Sequence, residues 1–375
     1  MSKRRGKGEG SIYRRKDGRW AAEITIEGRD RKTLYGKTRE EVHEKLLAAQ
    51  NEKRQGSLRT GPRQTVKDYL NDWLEVHRVR LKISTYATYR RHLNNHIIPA
   101  LGHIQLQKLT ADQVQTFCSK MLKEGLSPGT VRLIYTILNA ALRDAIRRKK
   151  LAINVCSAVT LPRATRHKIQ PLDREQARRL LKAAKGSPIE CLLTLALGTG
   201  MRLGEILSLR WGDINLEERM LQVCHTVDYI QGFGIVESEP KTESSRRSII
   251  LPPFVVDALK RHYDYQLRER QRVGIAWKDQ DLVFSNRYGR YFDRMRLHTL
   301  FKRVLKNAGL PHMRFHDLRH SAATILLSMG VPAKVVQEVL GHSKINTTLD
   351  IYGHVLSDMQ RDAMDKMGDF FGEEL

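Results

Sequence analysis

At 375 residues the chain exceeds the roughly 100–200 residues of one ordinary domain, so two or three domains are expected. Its 66 Lys and Arg against 41 Asp and Glu give a net charge of +25, a surplus that calls for a polyanion or another acidic partner. With 41% hydrophobic and 7% aromatic residues the composition is that of a globular protein rather than a disordered basic tail.

No apolar stretch approaches the ~18–20 residues of a membrane span, and the basic opening leads into no apolar segment, so neither a membrane nor secretion is expected. Cys118, Cys156, Cys191 and Cys224 are too widely spaced for a CxxC site, which fits reduced thiols and a cytoplasmic location. The charge is uneven. Residues 1–64 hold 18 basic and 9 acidic side chains, residues 65–165 hold 16 and 6, and residues 166–375 hold 32 and 26. A surplus concentrated in the first 165 residues points to nucleic acid, and basic residues not gathered opposite one apolar stripe argue against a membrane surface.

Two alternating runs, 11–15 and 20–26, flank Asp17-Gly18, a hairpin signal. A third run at 32–35 precedes a helix with Thr38 and Glu41 in capping-box spacing. The result is a βββα module. Gly36-Lys37-Thr38 imitates the end of a phosphate-binding loop, but the glycine required five positions earlier is Arg31. Arg14, Arg15 and Arg19 on this sheet are candidates to enter a DNA groove.

Residues 51–64 read as a linker. The period then becomes helical to about Val155: Val66, Tyr69, Leu70, Trp73, Leu74 and Val76 form one apolar face, and Val131, Ile134, Tyr135, Leu138, Leu142 and Ile146 another. With helices at 85–98 and 110–122 between them, this is a compact all-α domain. Arg90, Arg91, Arg147 and Arg148 occupy its polar positions and are candidates to face DNA. A second linker spans 162–171. Beyond it lie helices at 173–185, 188–198, 202–210, 253–272, 293–308, 317–329 and 332–340, with strands at 221–229, 248–251 and 282–284.

This last region supplies individual cations. Arg202 opens a helix with Glu205 at i+3 to fix its guanidinium, and His316 and Arg319 lie one turn apart at the start of another. Two guanidiniums suit the non-bridging oxygens of one phosphodiester. His312, His316 and His320 have a spacing that would also suit zinc on one helical face. Pro311 makes that helix doubtful, and no Cys or carboxylate completes the set, so no metal is expected.

Arg202 within GTGMRLGEILSLRW, His316 and Arg319 within HDLRHSAATILL, His342 within LGHSKINTTLDIYGH, and Tyr352 just after it resemble the tyrosine recombinases, the phage-integrase family, in order, separation and local sequence. The resemblance covers the chain. It implies an arm-type DNA-binding βββα domain at 1–60, a SAM-like core-binding helical domain at 65–160, and a mainly helical α+β catalytic domain with a small β-sheet at 170–375.

It further implies a site-specific recombinase that cleaves and rejoins duplex DNA through a 3′-phosphotyrosyl intermediate, integrating or excising a phage or other mobile element without metal, ATP or cofactor. Tyr352 would be the nucleophile, Arg202 and Arg319 the transition-state clamp, Lys241 the general acid, His316 a proton-transfer aid, His342 a phosphate ligand and Glu205 the support of Arg202. Lys241 is the only lysine between Lys185 and Lys260. The implied partners are double-stranded DNA at core and arm sites, further copies of the chain in a synaptic tetramer, and an excisionase or a DNA-bending host factor in the bacterial nucleoid.

A type IB topoisomerase would use the same chemistry without synapsis. A non-enzymatic DNA-binding regulator would explain the charge but not the aligned residues. Residues 353–375 carry a net −4 with apolar residues at helical intervals. A tail helix is expected, docking on its own domain, docking on a neighbouring copy, or simply closing the fold.

Overall fold

The computed structural model describes residues 11–25, 31–54, 64–162, 170–239, 246–341, 364, 365 and 367. They fall into two compact units, Met1–Arg166 and His167–Leu375.

The first unit opens with an antiparallel sheet of β1 (Ser11–Arg14), β2 (Trp20–Thr25) and β3 (Arg31–Gly36), in that spatial order, followed by α1 (Arg39–Arg54). Gly18 turns the hairpin at φ +83°. The period-2 alternation sends Ala22 and Ile24 toward Val42, Leu46 and Ala49 of α1, forming a small core of their own. Tyr13, Ala21 and Tyr35 lie in register across the other face. Thr38 Oγ1 accepts from the Glu41 amide at 3.1 Å, while the Glu41 carboxylate accepts from Lys37 N at 2.8 Å. The helix runs to Arg54, so the start of the expected linker at 51–64 is helical instead.

Five helices follow: α2 (Val66–Arg78), α3 (Ile83–His92), α4 (Ile98–Leu101), α5 (Ala111–Lys123) and α6 (Pro128–Arg147). Capping boxes start α2 at Thr65 with Asp68 and α5 at Thr110 with Gln113. The expected helix at 85–98 is broken by a π-turn at Leu93–Ile97, just before Pro99, which has no N–H to continue an α ladder. The two expected apolar faces meet in one core, where Trp73, Leu70 and Tyr69 pack with Ile134, Leu138 and Leu142. Val76 corrects that reading: it is 56% exposed, because Leu74 is the last core residue of α2.

In the second unit come α7 (Arg174–Ala184), α8 (Glu190–Thr199), α9 (Leu203–Leu207), β4 (Ile214–Asn215), β5 (Met220–Val223), β6 (Thr226–Ile230), β7 (Gly234–Ser238), β8 (Arg247–Ile250), α10 (Pro253–Val273), α11 (Arg294–Asn307), α12 (Asp317–Ser328) and α13 (Ala333–Leu340). Helix α8 is buried continuously from Cys191 to Ala196 and packs against α7, α10 and α12. An all-round apolar helix of this kind must be central. Strands β4, β5 and β8 form one antiparallel sheet, and β6 and β7 a separate hairpin. The single strand expected at 221–229 is therefore two, parted at Cys224 and His225 and paired into different sheets. The run expected at 282–284 contributes only a bridge from Leu282 to Arg210. Among the described residues no helix is long and apolar enough to cross a membrane.

Candidate active site

The turn that joins α8 to α9 is built on Gly200. Its φ of +64° is left-handed, and a Cβ there would come within 2.3 Å of Leu340 Cδ2 on α13. Glycine is thus required both by conformation and by the close approach of another helix. Two residues on, Arg202 caps α9. Its backbone N–H donates to Glu205 Oε2 at 2.9 Å, its Nη1 to Glu205 Oε1 at 2.7 Å, and its Nη2 to the Gly341 carbonyl at 3.2 Å. The Arg202 side chain keeps 38% of its surface in solvent, whereas that of Glu205 keeps 3%.

Helix α12 brings the second set to the same turn. Arg319 is 2% exposed, and its Nη1 donates to the Gly200 carbonyl at 2.9 Å across 119 residues of sequence. His316 stands at the N-cap and is open to solvent. Although the side chain reaches solvent, the protein on its other side partly desolvates the ring and, with the guanidiniums of Arg319 and Arg202, lowers its pKa against the opposing pull of Asp317. Its imidazole is therefore neutral at neutral pH and able to accept a proton. His320 meets it edge to face, with centroids 5.3 Å apart, and burial with the neighbouring His316 pushes the His320 pKa down to about 4. Asp317 is occupied by Arg314, whose Nη2 donates to it at 2.8 Å. His312 is exposed in the non-helical segment before α12, so the three histidines do not share one helical face.

Sequence reasoning missed Arg247. Its side chain is 7% exposed; Nη2 reaches Glu205 Oε2 at 3.0 Å, Nη1 reaches Oε1 at 3.4 Å, and Nε donates to the Val339 carbonyl at 2.7 Å. Strand alternation marks only its burial, since Arg247 is two residues from Ile249, 3% exposed, on the inward face of β8; nothing local marks its partners. Burial raises the Glu205 carboxyl, but Arg247 and then Arg202 outweigh it and hold its pKa below the usual value, so it stays ionised. The structure thus gathers Arg202, Glu205, His316 and Arg319, with Arg247, around one turn. Lys241, His342 and Tyr352 lie outside the described residues, as does nearly all of the expected tail helix.

The candidate DNA-facing arginines occupy separate places. Arg15 stands 5.3 Å from the Tyr35 ring and 3.8 Å from Asp17, on the face away from α1, and Arg19 follows the hairpin turn. Arg14, in register with Trp20, falls in phase with the α1 side instead. Arg90 and Arg91 are exposed on the last turn of α3. Arg147 and Arg148 share the largely buried Asp144 carboxylate at 2.8 and 2.7 Å.

Two family patterns match the sequence: "Phage integrase family" over residues 170–359, and "Phage integrase, N-terminal SAM-like domain" over residues 65–122. A XerC-like tyrosine recombinase of Caldanaerobacter subterraneus is 31% identical, the match spanning 93% of this chain and 95% of that protein. The ICEBs1 integrase of Bacillus subtilis is 27% identical over 77% of this chain and 78% of its own length. Among solved structures, the Tn1549 transposon integrase bound to transposon right end DNA superposes with a TM-score of 0.70 at 23% identity, covering 81% of this chain and all of that one. The lambda integrase tetramer bound to a Holliday junction gives 0.58 at 18% identity, over 93% and 97%.

Proposed function

Because the chain belongs to the phage integrase family, and so is a site-specific tyrosine recombinase that breaks and rejoins DNA, we propose that Tyr352 is its nucleophile and the Gly200 turn its phosphate clamp. The Tyr352 hydroxyl forms a bond to the scissile phosphorus, the bond from phosphorus to the 5′-oxygen breaks, and the product is a 3′-phosphotyrosyl link with a free 5′-hydroxyl. Attack by a 5′-hydroxyl of a partner duplex reverses the step, so the ester conserves the bond energy.

Arg202 and Arg319 stabilise the charge that develops on the non-bridging oxygens, each donor contributing roughly 3–4 kcal/mol in comparable sites. His316, neutral for the reasons above, assists removal of the tyrosine proton. Lys241 gives a proton to the leaving 5′-oxygen, and His342 hydrogen-bonds the phosphate. Glu205 holds the Arg202 fork in place. The observation that carries this reading is the convergence of Arg202 and Arg319, more than a hundred residues apart, on one backbone turn, with His316 at the start of the helix that holds Arg319.

In the same reading residues 1–60 bind arm DNA, 65–160 bind core DNA and 170–375 catalyse. Arg14, Arg15, Arg19, Arg90, Arg91, Arg147 and Arg148 contact phosphates, and the active assembly is a tetramer on paired sites in the bacterial nucleoid, directed by an excisionase or a DNA-bending protein. The solved lambda integrase tetramer on a Holliday junction supports this assembly. Relatives named recombinase and integrase along nearly the full chain favour it over relaxation without synapsis.

The test is a nicked suicide duplex carrying the element's attachment site. Wild-type protein should leave an SDS-resistant protein–DNA adduct, and Tyr352→Phe should bind the same duplex and leave none. An adduct from Tyr352→Phe would remove Tyr352 as the nucleophile.

A further inference from the structure

Arg247 has no place in the chemistry above, yet it is more deeply enclosed than Arg202, the guanidinium offered to the phosphate. Burying a charged side chain is costly unless it is paired and hydrogen-bonded, and here both conditions are met by partners that belong to the site. Its two Nη atoms straddle the Glu205 carboxylate, and that carboxylate also takes the Arg202 backbone N–H and Nη1. Its Nε caps the Val339 carbonyl in the last turn of α13, where a helix otherwise leaves carbonyls without partners and favours a cation. Gly341, whose carbonyl accepts from Arg202 Nη2, ends the same helix, and His342 is the next residue.

One guanidinium on β8 therefore touches both things that orient Arg202: the carboxylate on α9 and the end of α13. A planar fork can hold a carboxylate edge and leave Nε for a carbonyl, whereas a lysine ammonium offers one point of attachment. With Arg247 removed, Glu205 keeps only Arg202 among these partners and can turn with it, and the end of α13 loses its cap.

We infer that Arg247 is a positioning residue, which sets the aim of the Arg202 guanidinium and the starting point of the segment that leads to His342 and Tyr352. Its effect on the reaction runs through Glu205 and the end of α13. The inference rests on the proposed tyrosine cleavage, and the experiment separates failure of one from failure of the other.

Single-turnover cleavage of the suicide duplex, duplex Kd and thermal unfolding are measured on full-length wild type, Arg247→Lys, Arg247→Ala and Glu205→Gln. Arg247→Lys should keep duplex Kd within about twofold and slow adduct formation by about 100-fold, the scale expected from small misplacement of a catalytic group. Adding Glu205→Gln to it should slow the reaction little further, since both changes break one linkage. Guanidinium ion at millimolar concentration should restore part of the rate to Arg247→Ala, and ammonium should not, a response that loss of fold alone would not produce. Wild-type speed in Arg247→Lys would overturn the inference. So would losses in Arg247→Lys and Glu205→Gln that multiply, or slow cleavage of Arg247→Ala that guanidinium leaves unchanged. An absent wild-type adduct would overturn the tyrosine reading itself.

Discussion

His320 shows how the site is tuned by its surroundings. It is 7% exposed beneath His316, and its pKa is held at about 4 against an ordinary 6.5. Below pH 6.5 the unfolded chain binds a proton that the folded chain refuses. Stability is therefore complete above about 6.5, falls as the pH drops toward about 4, and levels off below that. Urea unfolding midpoints of wild type should decline more steeply across that window than those of His320→Gln. Identical slopes would mean that His320 does not couple folding to protons. Arg202, Glu205, His316 and Arg319 could be singled out because the short strings that hold them resemble the tyrosine recombinases; spacing alone offered only cations one turn apart. Arg247 could not, because its meaning depends on Glu205, 42 residues away, and on a helix end farther still.

The helices were easier to read than the strands for a physical reason. Helices α7 and α11 start at Asp173 and Asp293, whose side chains accept from the Gln176 and Arg296 amides, and α8 and α13 end on left-handed Gly200 and Gly341, so these bounds follow from local sequence. Strand pairing is settled outside the strand itself: β5 pairs with β8, more than twenty residues on, while β6 pairs with its hairpin partner β7, and no pattern within 221–229 divides the two. The turn between α8 and α9 depends equally on a distant element, since Leu340 of α13 fills the space where a Gly200 side chain would sit. Gly186, at φ +73° with nothing near its absent Cβ, separates the two demands on such a glycine. Gly186→Ala should lose about 1–2 kcal/mol from left-handed strain. Gly200→Ala should lose more than that in thermal unfolding and also slow cleavage of the suicide duplex, because Arg319 hangs from its carbonyl. Equal losses at the two positions would show that Leu340 gives way freely.

Across the whole molecule, charge and chemistry are divided. The basic excess belongs to residues 1–165, whose described parts form two small modules with their own cores, whereas the nearly balanced remainder directs a few cations at one turn. Duplex affinity should fall linearly with salt on a log–log plot. The combined Arg14→Ala, Arg15→Ala and Arg19→Ala protein should show a shallower slope on arm-site DNA, by about one for each arginine that had met a phosphate. An unchanged slope would remove those arginines from the DNA interface.

The gathering of Arg202, Arg247 and Arg319 at one turn, with the Glu205 carboxylate among them, also bears on when this protein is most durable. Among the described residues three guanidiniums stand with one carboxylate at this turn, and like charges held close repel one another. A phosphate seated there would relieve that repulsion, and a ligand that favours the folded chain stabilises it in proportion to occupancy. The substrate then serves as a missing piece of the catalytic unit's own electrostatic balance, and the protein should resist heat best while it is gripping the strand it is about to cut.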